Sequence, residues 1–498
     1  MKVRVRMYRQ GLGDCFLLTF DPGGTEKHML IDCGTLGATT TGIKLSDVVA
    51  DIRKTTKDHI HLLIATHEHW DHVRAFGELE EEFKEIKVEN VWMAWTEDPK
   101  DALAQKIAKN KKDLGTALVA ASRALAASTT AEESKNIGLA VGDLLGFYGE
   151  TPALGAAKFS ESVNDAMNVV RKGLGVQAEF HAPGDAPIEP EWASGFRFYI
   201  LGPPKDEGAL NDTGEHGSSE LYGVASALLA AATFRASGRP LPEYMADAAA
   251  SDEAETFESQ MPFDGRFRYL QDAMPIQQAF GKSYFSKVDE WRRVDDDWLH
   301  CSSDLALQLD SATNNTSLAL AIERISDGKV LLFPADAQEG NWLSWYGPKI
   351  KWPVKDASGK TVEVTATDLL NRTVFYKVGH HSSHNATAKA KGLELMQQED
   401  ELTAFIPVDR AVALKRHPQG SWKMPAGSLY KRLLERCQGR VVRSDLGWAD
   451  DAKNAQNKSV EKEFVGMATD ADWAKWNKSQ KAATNVEISA EYVDYLLF

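Results

Sequence analysis

Ile60-His61-Leu62-Leu63-Ile64-Ala65-Thr66-His67-Glu68-His69-Trp70-Asp71-His72 decides the fold and sets the chemistry. Its first six residues form a short apolar run, the pattern of a buried strand. Three histidines and one aspartate then fall within the six residues from His67 to His72. A strand end projects a loop at the rim of a sheet, where side chains converge. Imidazoles two apart, followed by a carboxylate and a further imidazole, suit a borderline-soft divalent cation such as zinc. Two ions can be served, His67 and His69 holding one and Asp71 and His72 the other.

Outward from this loop the chain alternates strands and helices. Residues 1–35 read as a β-meander: Val3 to Met7 alternates, Cys15 to Phe20 and His28 to Asp32 are apolar runs, and Asp21-Pro22-Gly23-Gly24 is a turn. A helix is expected over about Leu45 to Lys54, and a strand over Val88 to Trp95. Residues 99–175 are helical and Ala-rich, and Phe196 to Leu201 returns to strand. Residues 205–300 read as a helical insertion, whose acidic runs Asp252 to Glu255 and Asp295 to Asp297 mark a solvated face. Further strands are expected at Ser317 to Ile322, Val330 to Phe333, Thr373 to Val378 and near Ala404 to Pro407. Leu429 to Cys437 reads as a helix with Ser428 as its N-cap, and Val486 to Ala490 as an edge strand. The alternation indicates an α/β protein.

The composition agrees. The 498 residues carry 57 Lys+Arg against 72 Asp+Glu, a formal charge of −15, and 43 % are hydrophobic. These are globular values, and the acidic balance argues against a broad nucleic-acid-coating face. Cys15, Cys33, Cys301 and Cys437 show no CxxC spacing and no disulfide framework. The most apolar stretch, Leu221 to Phe234, falls short of a membrane span. A reduced, cytoplasmic protein with no membrane partner is the expectation. Trp342, Trp345 and Trp352 read as packing residues.

The His67–His72 loop, with its HxHxDH spacing after a strand, resembles the signature of the metallo-β-lactamase superfamily. Other stretches match that family's motifs in order. Asp32, in Leu30-Ile31-Asp32-Cys33-Gly34, resembles its first-motif aspartate, a supporting group. Asp336, in Phe333-Pro334-Ala335-Asp336, resembles the strand-end carboxylate that bridges two metals, although the family more often has Gly where this chain has Ala335. Tyr376-Lys377-Val378-Gly379-His380-His381-Ser382-Ser383-His384 is similar to the HHGS motif of the competence-protein hydrolase domain, the ComEC-like branch. Gln10-Gly11-Leu12-Gly13-Asp14 resembles that branch's GQGD, and Asn314-Asn315-Thr316-Ser317-Leu318 its NNxSL. The likeness spans about half the chain: 1–95, 195–205 and 312–445.

The resemblance implies an αββα four-layer sandwich with large helical insertions. Its first half would occupy 1–204, with an Ala-rich insertion at about 99–175. A helical insertion would follow at 205–311, the second half of the fold at 312–445, and a C-terminal extension at 446–498. It also implies two divalent ions, Zn or Mn, held by His67, His69, Asp71, His72, Asp336 and one of His380 and His381; His381 aligns with the ligand of the tRNA-processing members. Asp71 would orient the nucleophile, and Lys377 or His384 would offset charge on the leaving oxygen. A third histidine for the first ion has no motif here: His181, His216 and His300 are the candidates, and each reads as structural. The implied function is metal-dependent hydrolysis of a phosphodiester, in a nucleic acid or a small molecule, by a metal-held hydroxide. The alternatives are hydrolysis of a lactone, thioester or small phosphoester, and a metal-containing interaction module that docks a protein through the 205–311 insertion.

Overall fold

The computed structural model describes residues 2–21, 25–37, 39–126, 132–149, 160–211, 274–283, 302–356, 358–416, 422–449 and 468–498. The N-terminal meander forms as expected: β1 (Lys2–Tyr8), β2 (Cys15–Asp21) and β3 (Lys27–Cys33) pair antiparallel, with Val5 opposite Leu18 and Leu18 opposite Met29. The chain then crosses over through helix α1 (Leu45–Thr56) to β4 (His59–Ile60) and β5 (Leu62–Ala65), and β5 runs parallel to β3. The single run expected from Ile60 to Ala65 is broken at His61. Helix α2 (Trp70–Glu78) follows the histidine-rich loop. The strand expected over Val88 to Trp95 also divides, into β6 (Lys87–Val88), which pairs with β4, and β7 (Val91–Ala94), parallel to β5. β8 (Glu179–His181) extends this sheet parallel to β7.

The Ala-rich segment forms helices α3 (Ala102–Ala126) and α4 (Glu132–Leu145), as expected, with residues 127–131 outside the described residues. The second sheet collects β9 (Phe196–Ile200), β10 (Leu320–Arg324), β11 (Val330–Phe333), β14 (Thr373–Lys377), β15 (Thr403–Ile406), β16 (Val441–Arg443) and β17 (Gly447–Trp448), in the order β17-β16-β15-β14-β11-β10-β9. A separate hairpin joins β12 (Trp352–Lys355) to β13 (Thr361–Val364). Val486 to Ile488 is an edge strand (β18) as expected, but β19 (Tyr492–Leu497) lies inside it and pairs antiparallel with β1. The first sheet therefore reads β18-β19-β1-β2-β3-β5-β7-β8.

Side-chain alternation assigns each sheet two apolar faces. Phe16, Leu18 and Phe20 of β2 share one core with Leu320, Ile322, Leu331, Phe333 and Phe375 of the second sheet. Cys15 and Leu17, on the opposite face of β2, pack with Val48, Val49 and Ile52 of α1 and with Val73 and Phe76 of α2. The far face of the second sheet, including Ala321, Leu332, Tyr376 and Ile406, packs on helix α5 (Ser302–Asn314) through Leu305 and Leu309, and on helix α6 (Gly427–Arg436) through Tyr430, Leu433 and Leu434. Each such leucine or phenylalanine contributes about 1.5–3 kcal/mol by leaving water. The N-cap of α6 is Ala426, so Ser428 sits in the first turn and caps nothing. Trp342, Trp345 and Trp352 are buried in the core, as expected.

Over residues 205–314, the helices Glu207–Leu210 and Met274–Phe280 and helix α5 are described. Leu221 to Phe234, both acidic runs, His216, His300 and Cys301 lie outside the described residues. Cys15, Cys33 and Cys437 are buried and free. Among the described residues no helix is long and apolar enough to cross a membrane.

Candidate metal centre

The centre lies at the carboxyl ends of parallel strands from both sheets, where loops converge. From the first sheet, β5 ends at Ala65 and the loop 66–69 runs into α2. His69 is the N-cap of α2, and its carbonyl accepts the amides of His72 and Val73. Asp71 and His72 thus stand in the first turn, where the helix dipole favours a carboxylate. From the second sheet, β11 ends at Phe333, and Pro334-Ala335 lead on to Asp336. Its parallel neighbour β14 delivers His380 and His381.

Close backbone approaches hold this loop. A Cβ on Gly34 would lie 2.3 Å from the carbonyl carbon of Asp71, and one on Gly13 would lie 2.6 Å from its oxygen. The Asp14 amide donates to that oxygen at 2.9 Å, and Gln10 Nε2 ties the two glycine turns together through Gly13 O and Gly34 O at 3.0 Å each. Across the gap, Asn315 Oδ1 accepts the amides of Gln338 and Asn341, and Ser317 Oγ accepts that of Asp336 at 3.2 Å. The backbone is left-handed at Asp32, Ala335, His380, His381 and Ser382, with φ from 42° to 65°. Non-glycine residues in this region cost energy and cluster at functional sites.

Asp71, His72, Asp336 and His381 each present one ligand atom, and all four atoms lie within 4.8 Å of one another. His381 Nε2 is 2.7 Å from Asp71 Oδ2 and 3.8 Å from Asp336 Oδ2. His72 Nε2 is 3.1 Å from Asp336 Oδ2, yet neither atom has a partner in hydrogen-bond geometry, and Asp71 Oδ1 is equally unpartnered. Buried polar atoms left close together without hydrogen-bond partners are what an ion between them would satisfy. Beside them, His67 Nε2 and His69 Nδ1 face each other at 3.1 Å. All these side chains are buried. The donors are nitrogen and oxygen, with no thiolate, and fit a divalent cation.

The outer nitrogens of three of these rings are anchored. His72 Nδ1 meets Asp32 Oδ2 at 2.8 Å, His381 Nδ1 meets Pro407 O at 2.7 Å, and His67 Nδ1 meets Thr66 Oγ1 at 3.1 Å. Asp32 also accepts the Thr66 amide and hydroxyl, at 2.8 and 2.7 Å.

Electrostatics divide the imidazoles. Burial lowers His67 well below the ordinary value and takes His69 down to about 3, so both rings are neutral. Burial also opposes protonation of His72 and His381, but Asp336, Asp71 and Asp14 outweigh it and raise both. Asp336 is held well below the carboxylate range against burial, by Lys377, His72 and His381.

Lys377 lies against Asp336, and His384 lies outside the cluster. Lys377 Nζ donates to Ala335 O at 2.8 Å and to Asp336 Oδ1 at 3.0 Å, and it pairs with Asp14. Its three donors are taken, so it supports Asp336 from behind. His384 is exposed and is not drawn into the cluster. His380 donates its amide to Asp336 Oδ1 at 2.9 Å, and its ring lies 3.4 Å from Gln338, outside the four-residue group. His181 packs edge-on against Trp92 at 4.6 Å on β8, as a structural residue would.

Two carboxylates escaped the sequence reading. Asp14, which pairs with Lys377 and groups with Asp32 and His72, was flagged only by the GQGD-like stretch around it. Asp310, inside α5, belongs to no motif. It is buried, and its carboxyl is pushed well up by burial and then by Asp71 and Asp336. His59, His61 and Glu89 form a further ligand-type group, at the opposite end of β5. No curated protein matches the chain. Residues 8–116, which carry Asp14, Asp32 and the whole His67–His72 loop, match the family model of the metallo-beta-lactamase superfamily.

Proposed function

We propose that this protein is a metal-dependent hydrolase that cleaves phosphodiester bonds, in nucleic acid or in a small molecule. The hydrolytic part rests on one observation: His72 Nε2, Asp71 Oδ1 and Asp336 Oδ2 are buried and unpartnered on residues of a superfamily-type ligand set. His67, His69, Asp71, His72, Asp336 and His381 would hold two divalent ions, Zn or Mn. Bound there, the ions supply a lowered water pKa and a Lewis acid for the phosphoryl oxygen. The chain's own residues do the rest. Asp71, in the first turn of α2, holds the nucleophile's proton and aims its lone pair. Asp32 and Pro407 O fix the tautomers of His72 and His381. Lys377 keeps Asp336 ionised.

The phosphodiester choice draws on the ComEC-like stretches, which all serve this one site. Gln10 stitches the glycine turns, Asn315 and Ser317 shape the Asp336 loop, and His381 joins the ligand group. The two sheets and their outer helices fit an αββα stack, in which the segments at about 99–175 and 205–311 are insertions.

The test is hydrolysis of bis(p-nitrophenyl) phosphate by wild type and by Asp71→Ala, with zinc or manganese and with a chelator. We expect turnover that needs both the metal and Asp71, with a loss of at least about 100-fold in the variant. Turnover of thioesters or lactones alone would overturn the phosphodiester reading. Full activity of Asp71→Ala at normal metal content would overturn the site assignment.

A further inference from the structure

The outer nitrogen of His69 has a different environment from those of its three neighbours. Its Nδ1 faces His67 Nε2, so Nε2 is the outer atom. Nε2 is buried without a hydrogen-bond partner, and 3.8 Å away lies Asp310 Oδ1, also buried without one. The other Asp310 oxygen accepts from Asn314 Nδ2 at 3.1 Å, which fixes the carboxylate on α5. Around the same ring, Phe147 lies at 5.3 Å and Tyr148 meets it edge-on at 5.0 Å. The Tyr148 hydroxyl bonds to Thr313 Oγ1 at 2.7 Å and to Leu309 O at 3.2 Å. The surroundings of His69 therefore come from α5 and from the turn after α4, all outside residues 8–116.

We propose that Asp310 is the positioning residue of His69: it accepts the Nε2 proton, fixes the ring as the Nε2–H tautomer and leaves Nδ1 free to bind a divalent metal ion beside His67. A small rotation of either side chain closes 3.8 Å to a hydrogen bond, and neither atom has another partner to give up. Cations in the centre offset the Asp71 and Asp336 charges that push the Asp310 carboxyl up, and so favour its ionised, accepting form. Outer-shell carboxylates of this kind orient a ligand imidazole and raise its basicity, and their loss costs metal affinity about 10–100-fold. In this chain Asp32 does so for His72. Asp310 would do so for His69 from a helix packed on α3 and α4, so loading of this half of the centre depends on the seating of the helical segments. The proposal rests on the metal reading above and extends it to a residue outside the family motifs.

The experiment is zinc binding by the full chain, measured by competition with a chromophoric chelator, together with the cobalt(II) absorption spectrum. Wild type, Asp310→Ala, Asp310→Asn and Tyr148→Phe are compared, with no substrate present. Asp310→Ala should weaken one class of site about 10–100-fold and leave the other unchanged. Asp310→Asn, which keeps an acceptor oxygen, should lose less, and Tyr148→Phe should bind as wild type. Selective nitrogen labelling of the zinc-loaded wild type should report the Nε2–H tautomer of His69. Wild-type affinity in Asp310→Ala would overturn the proposal. So would equal loss of one zinc per chain at saturation in both Asp310 variants, because Asp310 would then be a ligand itself. Should Asp310→Ala fail to fold, Asp310→Asn and the tautomer decide alone. A wild type that binds no zinc or cobalt would instead overturn the metal reading.

Discussion

Ala335 stands at φ 52°, a conformation that costs a side-chain-bearing residue about 1–2 kcal/mol. This explains why the family that the Phe333–Asp336 stretch resembles more often has glycine there, and why the smallest alternative is the one tolerated. Asp336 follows directly, and Lys377 is the largest charge that keeps it ionised. The ammonium is buried between Asp336 and Asp14 and is the largest charge offsetting both, so its loss would leave two buried carboxylates undercompensated. We expect metal-free Lys377→Met to be less stable by about 3–5 kcal/mol in urea unfolding at pH 8. The deficit should shrink at pH 5, as the freed carboxylates take up protons, and on adding zinc, which returns positive charge. A variant with unchanged stability at pH 8 would show that the ammonium does not carry this charge. Asp14 and Asp310 mark the limit of reading at this scale. A lone aspartate in a turn or in a helix has no local signature, and its function comes from what tertiary folding brings to it. The histidines were legible because three imidazoles and an aspartate within six residues have no packing reason to be there.

At the scale of elements, the strands that flank the centre were readable because their apolar runs end in the ligand loops. The runs at Ile60–Ala65 and Val88–Trp95 were each read as one strand, but two-residue β4 and β6 split off to pair with each other. That pairing is non-local and leaves no periodic trace. The α6 cap was misplaced because a serine near a helix start is a general signal, whereas the chain enters through extended Ala426. The joint between the ligand loop and α3 was not legible at all. There Lys111 of α3 pairs with Glu68 of the loop, and Glu97 contacts Arg171 at 3.2 Å. Burial, and then the Glu68 charge, lift Glu97 to about 7 from an ordinary 4.5. An acid raised in the folded state binds its proton there when the unfolded chain has already released it. Its contribution to stability is full below pH ~4.5 and is lost as pH rises through ~7. We expect part of the stability to decline between pH 5 and 8, by at most about 3 kcal/mol, and Glu97→Gln to flatten that decline. A variant with the wild-type slope would remove Glu97 as the source.

For the whole molecule, the important fact is that the ligand group is divided between the sheets. Asp71 and His72 follow β5 of the first sheet, while Asp336 and His381 follow β11 and β14 of the second. Residues far apart in the chain meet there, with His381 Nε2 and Asp71 Oδ2 at 2.7 Å across a sequence separation of 310. Asp71 and Asp336 are buried close together, and among the described residues His72, His381 and Lys377 offset their charge. An ion held by all four residues would therefore join the two sheets at their rim as well as serve chemistry. Binding to the folded chain alone stabilises it by RT ln(1 + [L]/Kd), about 2.7 kcal/mol at a free metal concentration a hundred times Kd. We expect zinc to raise the unfolding free energy of the chelator-treated protein by about this amount, and Asp336→Asn to lose most of the increment. Because the ligands come from both sheets, hydrogen exchange should slow together in β5, β11 and β14. Slowing confined to residues 66–72 would mean that the ion sits on the first loop alone and does not bridge the sheets.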